Sequence, residues 1–217
     1  MLINLVLKDL MLVKKYLFVL LVFAAIGPIY ISSKVDFNNG GLVGFLLTVL
    51  LLEYILFGMV SKFEDKYKGA ALLCATPYTR NSFVKAKYLF IFVIFICSVI
   101  IHIITSVIMP SGIEKLNITT LGITFLILSI IFGILIPVQF KFGYDKTKLI
   151  SFFTIFLIPF VFPAVIGWFQ SNHISFAITF PFPFPEIIQA WIPCFLALVI
   201  GCVSMVISLK IYAKKDL

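Results

Sequence analysis

The spacing of charge constrains this chain more than any other feature. Six runs, 16–33, 41–60, 88–109, 118–138, 150–169 and 188–209, contain a single Asp, Glu, Lys or Arg between them, Glu53. Each is 18–22 residues long, and about 20 apolar residues are needed to cross a bilayer as a helix. A water-soluble domain is about 25% charged; this chain is 12% charged and 62% hydrophobic, so it has too little polar surface to cover a soluble fold. The expected fold class is all-α and polytopic: residues 1–217 form a single transmembrane domain of six transmembrane helices. An N-terminal interfacial helix and a cytoplasmic coupling helix complete it.

The gaps between runs hold the charge, and its sign sets the sides. With the N-terminus in the cytoplasm, fifteen of the seventeen basic residues fall inside, and only Lys34 and Lys115 fall outside. Such a positive-inside bias places both termini in the cytoplasm and supports an even number of spans. The net charge of +8 is thereby a topology signal. The basic residues are spread over four membrane-flanking segments with no compact basic domain, which excludes a nucleic-acid partner.

The opening segment MLINLVLKDLMLVKKY, residues 1–15 and the tyrosine that follows, reads as an amphipathic helix. On a helix Asn4, Lys8 and Lys15 share a face with Lys14 nearby, while Asp9 stands apart. Such a helix lies in the inner interface with its lysines toward anionic lipid headgroups, or it extends the first span. The apolar run that follows lacks a small-x-small cleavage pattern and reads as a retained span. Pro159 and Pro163 should bend span 150–169, either to shape packing or as a hinge. The segment SNHISFAITFPFPFPE alternates Phe and Pro near the outer surface, as interfacial packing or a lid. The four cysteines are scattered without a CxxC pair, so no metal site is expected. Glu53 stands alone inside its run. It is either a transport-path or proton-relay group, or a carboxyl held by a local hydrogen bond at a helix interface.

The longest polar stretch, SKFEDKYKGAALLCATPYTRNSFVKAKY (61–88), lies between two spans. Residues 63–75 read as a short helix with Phe63, Tyr67 and Cys74 along one face. Glu64 and Lys68 pair on another side. Pro77 ends the helix and Thr79 caps the next. A chain that only filled the membrane has no need of such a helix–break–helix; a subunit moved by a soluble partner does.

These features resemble the permease subunits of type-2 ABC exporters, in the small bacterial branch with six spans. The N-terminal LVLKDLMLVKKY is similar to that family's amphipathic opening helix. The loop at 61–87 is similar to its cytoplasmic coupling loop through Glu64, Gly69, Leu72, Leu73, Pro77, Thr79, Arg80 and Lys85 or Lys87; Ala71 departs from the polar residue expected there. The resemblance implies that Phe63, Glu64, Tyr67, Lys68, Gly69, Leu72, Leu73, Pro77 and Arg80 couple to an ABC ATPase subunit. The chain has no GxxxxGK[ST], so no catalytic residue is expected, and ATP and Mg would sit on that partner. It further implies a second permease copy or a related permease, membrane lipids as surroundings, and a bacterial cytoplasmic membrane location. The cargo implied is an amphipathic peptide, lipid or drug, with peptide export prominent among small relatives. A secondary transporter or channel built around Glu53, and a membrane scaffold or accessory protein, are the alternatives. An inverted repeat and paired buried charges, which would favour a carrier, are not evident in the sequence.

Overall fold

In the computed structural model, residues 2–34, 40–67, 79–108, 116–149, 152–153 and 186–214 are described. They form α1 (Leu2–Leu12), α2 (Lys14–Lys34), α3 (Gly40–Lys66), α4 (Arg80–Ile108), α5 (Ile118–Phe142) and α6 (Glu186–Ala213), with a short helical segment at 144–149. Four helical stretches are long and apolar enough to cross a membrane: Val43–Lys66, Arg80–Ile108, Ile118–Phe142 and Ala190–Ala213. The bent pair α1–α2 would make a fifth. Of the six expected spans, 150–169 lies outside the described residues except for 152–153, and with it Pro159 and Pro163. The outer Phe–Pro segment also lies outside them.

The N-terminal break is sharp. α1 meets α2 at 81°. Val13 at the corner is fully buried, and its carbonyl accepts the first amides of α2, from Tyr16 and Leu17 at 2.9 and 2.8 Å. Leu5 and Val6 of α1 pack with Leu56 and Val60 of α3 and Ala86 and Phe90 of α4. The first helix therefore lies across its successor instead of prolonging it.

The helix α3 differs from expectation at its end. The sequence reading stops span 2 at Val60 and starts a new helix at Phe63, whereas α3 runs unbroken to Lys66. Nothing in SKFEDK breaks a helix, and the Tyr67 amide still reaches the Phe63 carbonyl at 3.0 Å. Thr79 does cap the next helix: its hydroxyl accepts the Ser82 amide at 3.2 Å, as Ncap side chains do.

α5 and α6 form the most extensive helix pair. Small residues let them approach. A Cβ on Gly122 would stand 3.3 Å from the Pro193 Cβ and 3.4 Å from the Cys194 amide nitrogen, and close backbone contact is a principal source of helix affinity in lipid. The pairs Gly122–Pro193, Gly133–Ser204 and Phe140–Tyr212 advance together along both helices, so α5 and α6 run parallel. Pro137, inside α5, has no amide hydrogen and cannot donate to the carbonyl four residues back. That carbonyl belongs to Gly133, and the Ser204 hydroxyl donates to it at 2.6 Å. The Ser204 proton being used there, Tyr88 donates to Ser204 and Ser208 donates to Tyr88, each at 2.7 Å. One proline in α5 thus fixes a hydroxyl chain that ties α4 to α6.

Candidate functional site

Two regions carry polar chemistry. The first lies where α1, the end of α3 and the start of α4 meet. Four side chains of alternating sign close a ring there. Lys87 Nζ stands 3.1 Å from Asp9 Oδ2 and 2.7 Å from Glu64 Oε2; Lys8 Nζ stands 2.9 Å from Glu64 Oε1 and 3.0 Å from Asp9 Oδ1. Two cations and two anions cancel, so the ring can enter an apolar interior as a neutral unit. Side-chain exposure falls from 34% at Lys8 through 13% at Glu64 to 3% and 2% at Lys87 and Asp9. Burial pulls the Lys8 ammonium down, but the Glu64 and Asp9 carboxylates outweigh it and hold its pKa above the ordinary lysine value. Its contribution to stability is therefore complete below the unfolded value of 10.5 and fades only as pH rises through the higher folded one.

Both ammonium groups also lie over the Phe83 ring, at 5.6 and 5.3 Å from its centroid. The same ring packs on Tyr212 of α6 and Phe140 of α5 at 5.6 and 6.1 Å. Phe83 thus joins the charged ring to the ends of α5 and α6. One end of the bundle is locked into a single unit by electrostatics on one side of Phe83 and by aromatic packing on the other.

This placement corrects two expectations. Lys8, expected to face lipid headgroups, pairs inward with Glu64 and Asp9. Glu64, expected on an outer helical face beside Lys68, lies within the bundle end. The sequence also offered no sign of paired buried charges; they exist, 78 residues apart in the case of Asp9 and Lys87. Of the other expected coupling residues, Phe63 is half-buried and Arg80 is exposed at the start of α4. Tyr67 is 58% exposed at the same end, with the Lys66 ammonium 5.4 Å from its ring centroid. Lys68, Gly69, Leu72, Leu73 and Pro77 lie outside the described residues.

The second region is Glu53. It sits ten residues into the Val43–Lys66 stretch, about 15 Å along the helix, and is buried at 1% exposure. Neither carboxyl oxygen has a hydrogen-bond partner among the described residues. Among the described residues, the local hydrogen bond weighed from sequence is not found. Glu53 lines a cavity of about 190 Å³ between α3, α4, α5 and α6. Among the described residues, no group of three or more His, Cys, Asp and Glu side chains could hold a metal ion.

Comparison with known families gives one match: the family model described as ABC-2 family transporter protein aligns with residues 4–213, nearly the whole chain. No curated protein and no solved structure matches it.

Proposed function

Since the chain belongs to the ABC-2 family of transporter proteins and is a multi-pass membrane permease subunit, we propose that it forms the translocation path of an ATP-driven exporter and takes its power stroke at the charged end of the bundle. ATP and Mg would be bound by a separate ABC ATPase subunit. Two permease copies, or this chain and a related permease, would sit above two ATPases in the bacterial cytoplasmic membrane. The cargo would be amphipathic: a peptide, lipid or drug.

The observation that carries this reading is the locked end. The ring of Lys8, Asp9, Glu64 and Lys87 joins α1, α3 and α4, and Phe83 extends the joint to α5 and α6. A push delivered to the loop after α3 would be shared by five helices instead of bending one. Tyr67 stands exposed at the point where that loop leaves α3. The six-span topology draws support from two facts. The parallel run of α5 and α6 puts the start of α6 at the opposite end of the bundle from the end of α5, as the six-span reading, with a span at 150–169, expects. The N-terminal helix and the Tyr212 end of α6 also gather at the same end of the bundle, which fits both termini being cytoplasmic.

Coexpression with a candidate ABC ATPase tests the reading. The ATPase should copurify with the permease and should lose that association in Tyr67→Ala. If no ATPase copurifies under any nucleotide condition, the permease–ATPase reading falls. A reporter active only in the cytoplasm should work at Arg80 and Lys146 and be silent at Lys115 and Asn172; the reverse would sink the topology. The alternative, a secondary transporter, rests on Glu53, a carboxyl buried in mid-span. If transport required a proton gradient and Glu53→Gln abolished it, that alternative would replace the exporter.

A further inference from the structure

The Glu53 cavity combines features that the permease reading, on which this inference rests, does not by itself explain. Glu53, whose carboxyl oxygens are buried and have no hydrogen-bond partner among the described residues, is one of the residues that line it. Five aromatic side chains, Tyr88, Phe92, Phe95, Phe125 and Phe132, line it together with aliphatic residues. Phe95 and Phe125 are stacked at 5.0 Å, and Phe92 stands 5.9 Å from Phe125. No lysine, arginine or histidine among the described residues lines it. A carboxylate this deep in a span is stabilised in its ionised form by a cation beside it, and none of the described residues that line the cavity supplies one.

The missing cation has a definable chemistry. A metal ion needs about six or more oxygens in its shell, or four nitrogen and sulfur donors; these walls are nearly all carbon. An organic ammonium is different. In its quaternary form it is weakly hydrated, and its charge is met by one carboxylate and by the negative faces of aromatic rings. The size agrees. An apolar cavity of about 150 Å³ accepts benzene, so about 190 Å³ holds an ammonium with one ring or a short alkyl body. Leu198 and Cys202, which also line the cavity, are exposed on α6, so the cavity has an edge at the surface of the helix bundle.

We infer that the cavity between α3, α4, α5 and α6 is a binding site for a hydrophobic organic ammonium group, with Glu53 as its counter-ion and the surrounding rings as its cage. The permease then selects amphipathic cargo that carries positive charge on an apolar body. Such a group is borne by a small cationic amphiphile, or by a lysine side chain of an apolar peptide at a higher cost of dehydration; both bring a positive charge on an apolar body.

The test uses the full permease–ATPase complex in lipid nanodiscs, with empty nanodiscs as the partition control. Benzyltrimethylammonium is compared with neopentylbenzene, its uncharged isostere. The wild type should bind the cation, and Glu53→Gln should weaken that binding by about tenfold or more while changing the affinity for the neutral isostere less than about twofold. A lysine-bearing apolar peptide and a dodecyltrimethylammonium amphiphile are then used as competitors; whichever displaces the bound cation identifies the source. Equal binding of cation and isostere by the wild type would overturn the proposal, and this comparison needs no variant to fold. Undiminished cation binding by Glu53→Gln would overturn it as well. ATPase copurification, measured on the same samples, reports separately on the permease reading.

Discussion

Two buried carboxylates, Asp9 and Glu53, are nearly equally shielded from solvent and are treated in opposite ways. Asp9 sits at the bundle end with Lys87 and Lys8 at 3.1 and 3.0 Å. Glu53 sits in mid-span with neither oxygen paired among the described residues. Burial alone does not distinguish architecture from function; the partner does. A carboxylate whose charge is cancelled inside the protein fixes helices to one another. A carboxylate left without a cation, at the wall of a cavity, is placed for something that arrives.

The largest effect should come from breaking the paired region. Lys87→Met removes the cation between Asp9 and Glu64 while leaving both acids buried. Loss of one member of a buried ion cluster costs about 3–5 kcal/mol, and unfolding of the purified protein in mixed micelles should report a loss of that order. The double variant Lys87→Met with Asp9→Leu should recover part of it, since the orphaned charge is then gone. A Lys87→Met protein as stable as wild type would show that the ring is not a structural joint.

Next in size is Tyr67→Ala. Truncating a buried aromatic anchor at an interface costs about 2 kcal/mol, a roughly 30-fold loss of affinity. The expected result is weaker ATPase copurification with unchanged unfolding, which separates a docking residue from the joint behind it. Unaltered copurification and coupled transport would remove Tyr67 from the docking face.

Smaller again is Ser204→Ala, which deprives the Gly133 carbonyl of its donor and Tyr88 of its acceptor. Membrane hydrogen bonds contribute about 0.6–2 kcal/mol, so a modest loss in the same unfolding assay is expected. Pro137→Ala in the Ser204→Ala background should restore stability by returning an amide donor to Gly133. No rescue would mean that the proline does not govern the hydroxyl chain.

The smallest stability change belongs to Glu53→Gln. No internal pair or hydrogen bond is lost among the described residues, so its stability should stay within about 1 kcal/mol of wild type or rise. A loss comparable to that of Lys87→Met would erase the contrast between the two acids and point to a hidden structural partner.

The helices themselves were legible because charge is confined to the gaps between apolar runs. Thr79 was legible as a cap because a cap needs only its own turn. The end of α3 was not: polarity changes at Ser61 and Lys62, but nothing there breaks the backbone, and the helix continues to Lys66. Lys8 and Glu64 were assigned to outward faces because a helical wheel knows only its own helix. Their partners come from other helices, and no local spacing encodes a contact between Asp9 and Lys87. The serine that answers Pro137 was invisible for the same reason. Glu53 stood out in the sequence as the lone charge within a span, but the lack of a hydrogen bond among the described residues and the cavity that it lines required coordinates.

The central claim is that the charged end of the bundle is where an ATPase engages. The most direct measurement places a photocrosslinking residue at Tyr67 or at Val107, in the complex expressed in cells. Both positions are open, 58% and 75% exposed, but Val107 is close to the opposite end of α4 from the ion ring. The account predicts a crosslink to the ATPase from position 67 and none from position 107. A crosslink from position 107, or none from position 67 while the ATPase copurifies, would contradict it.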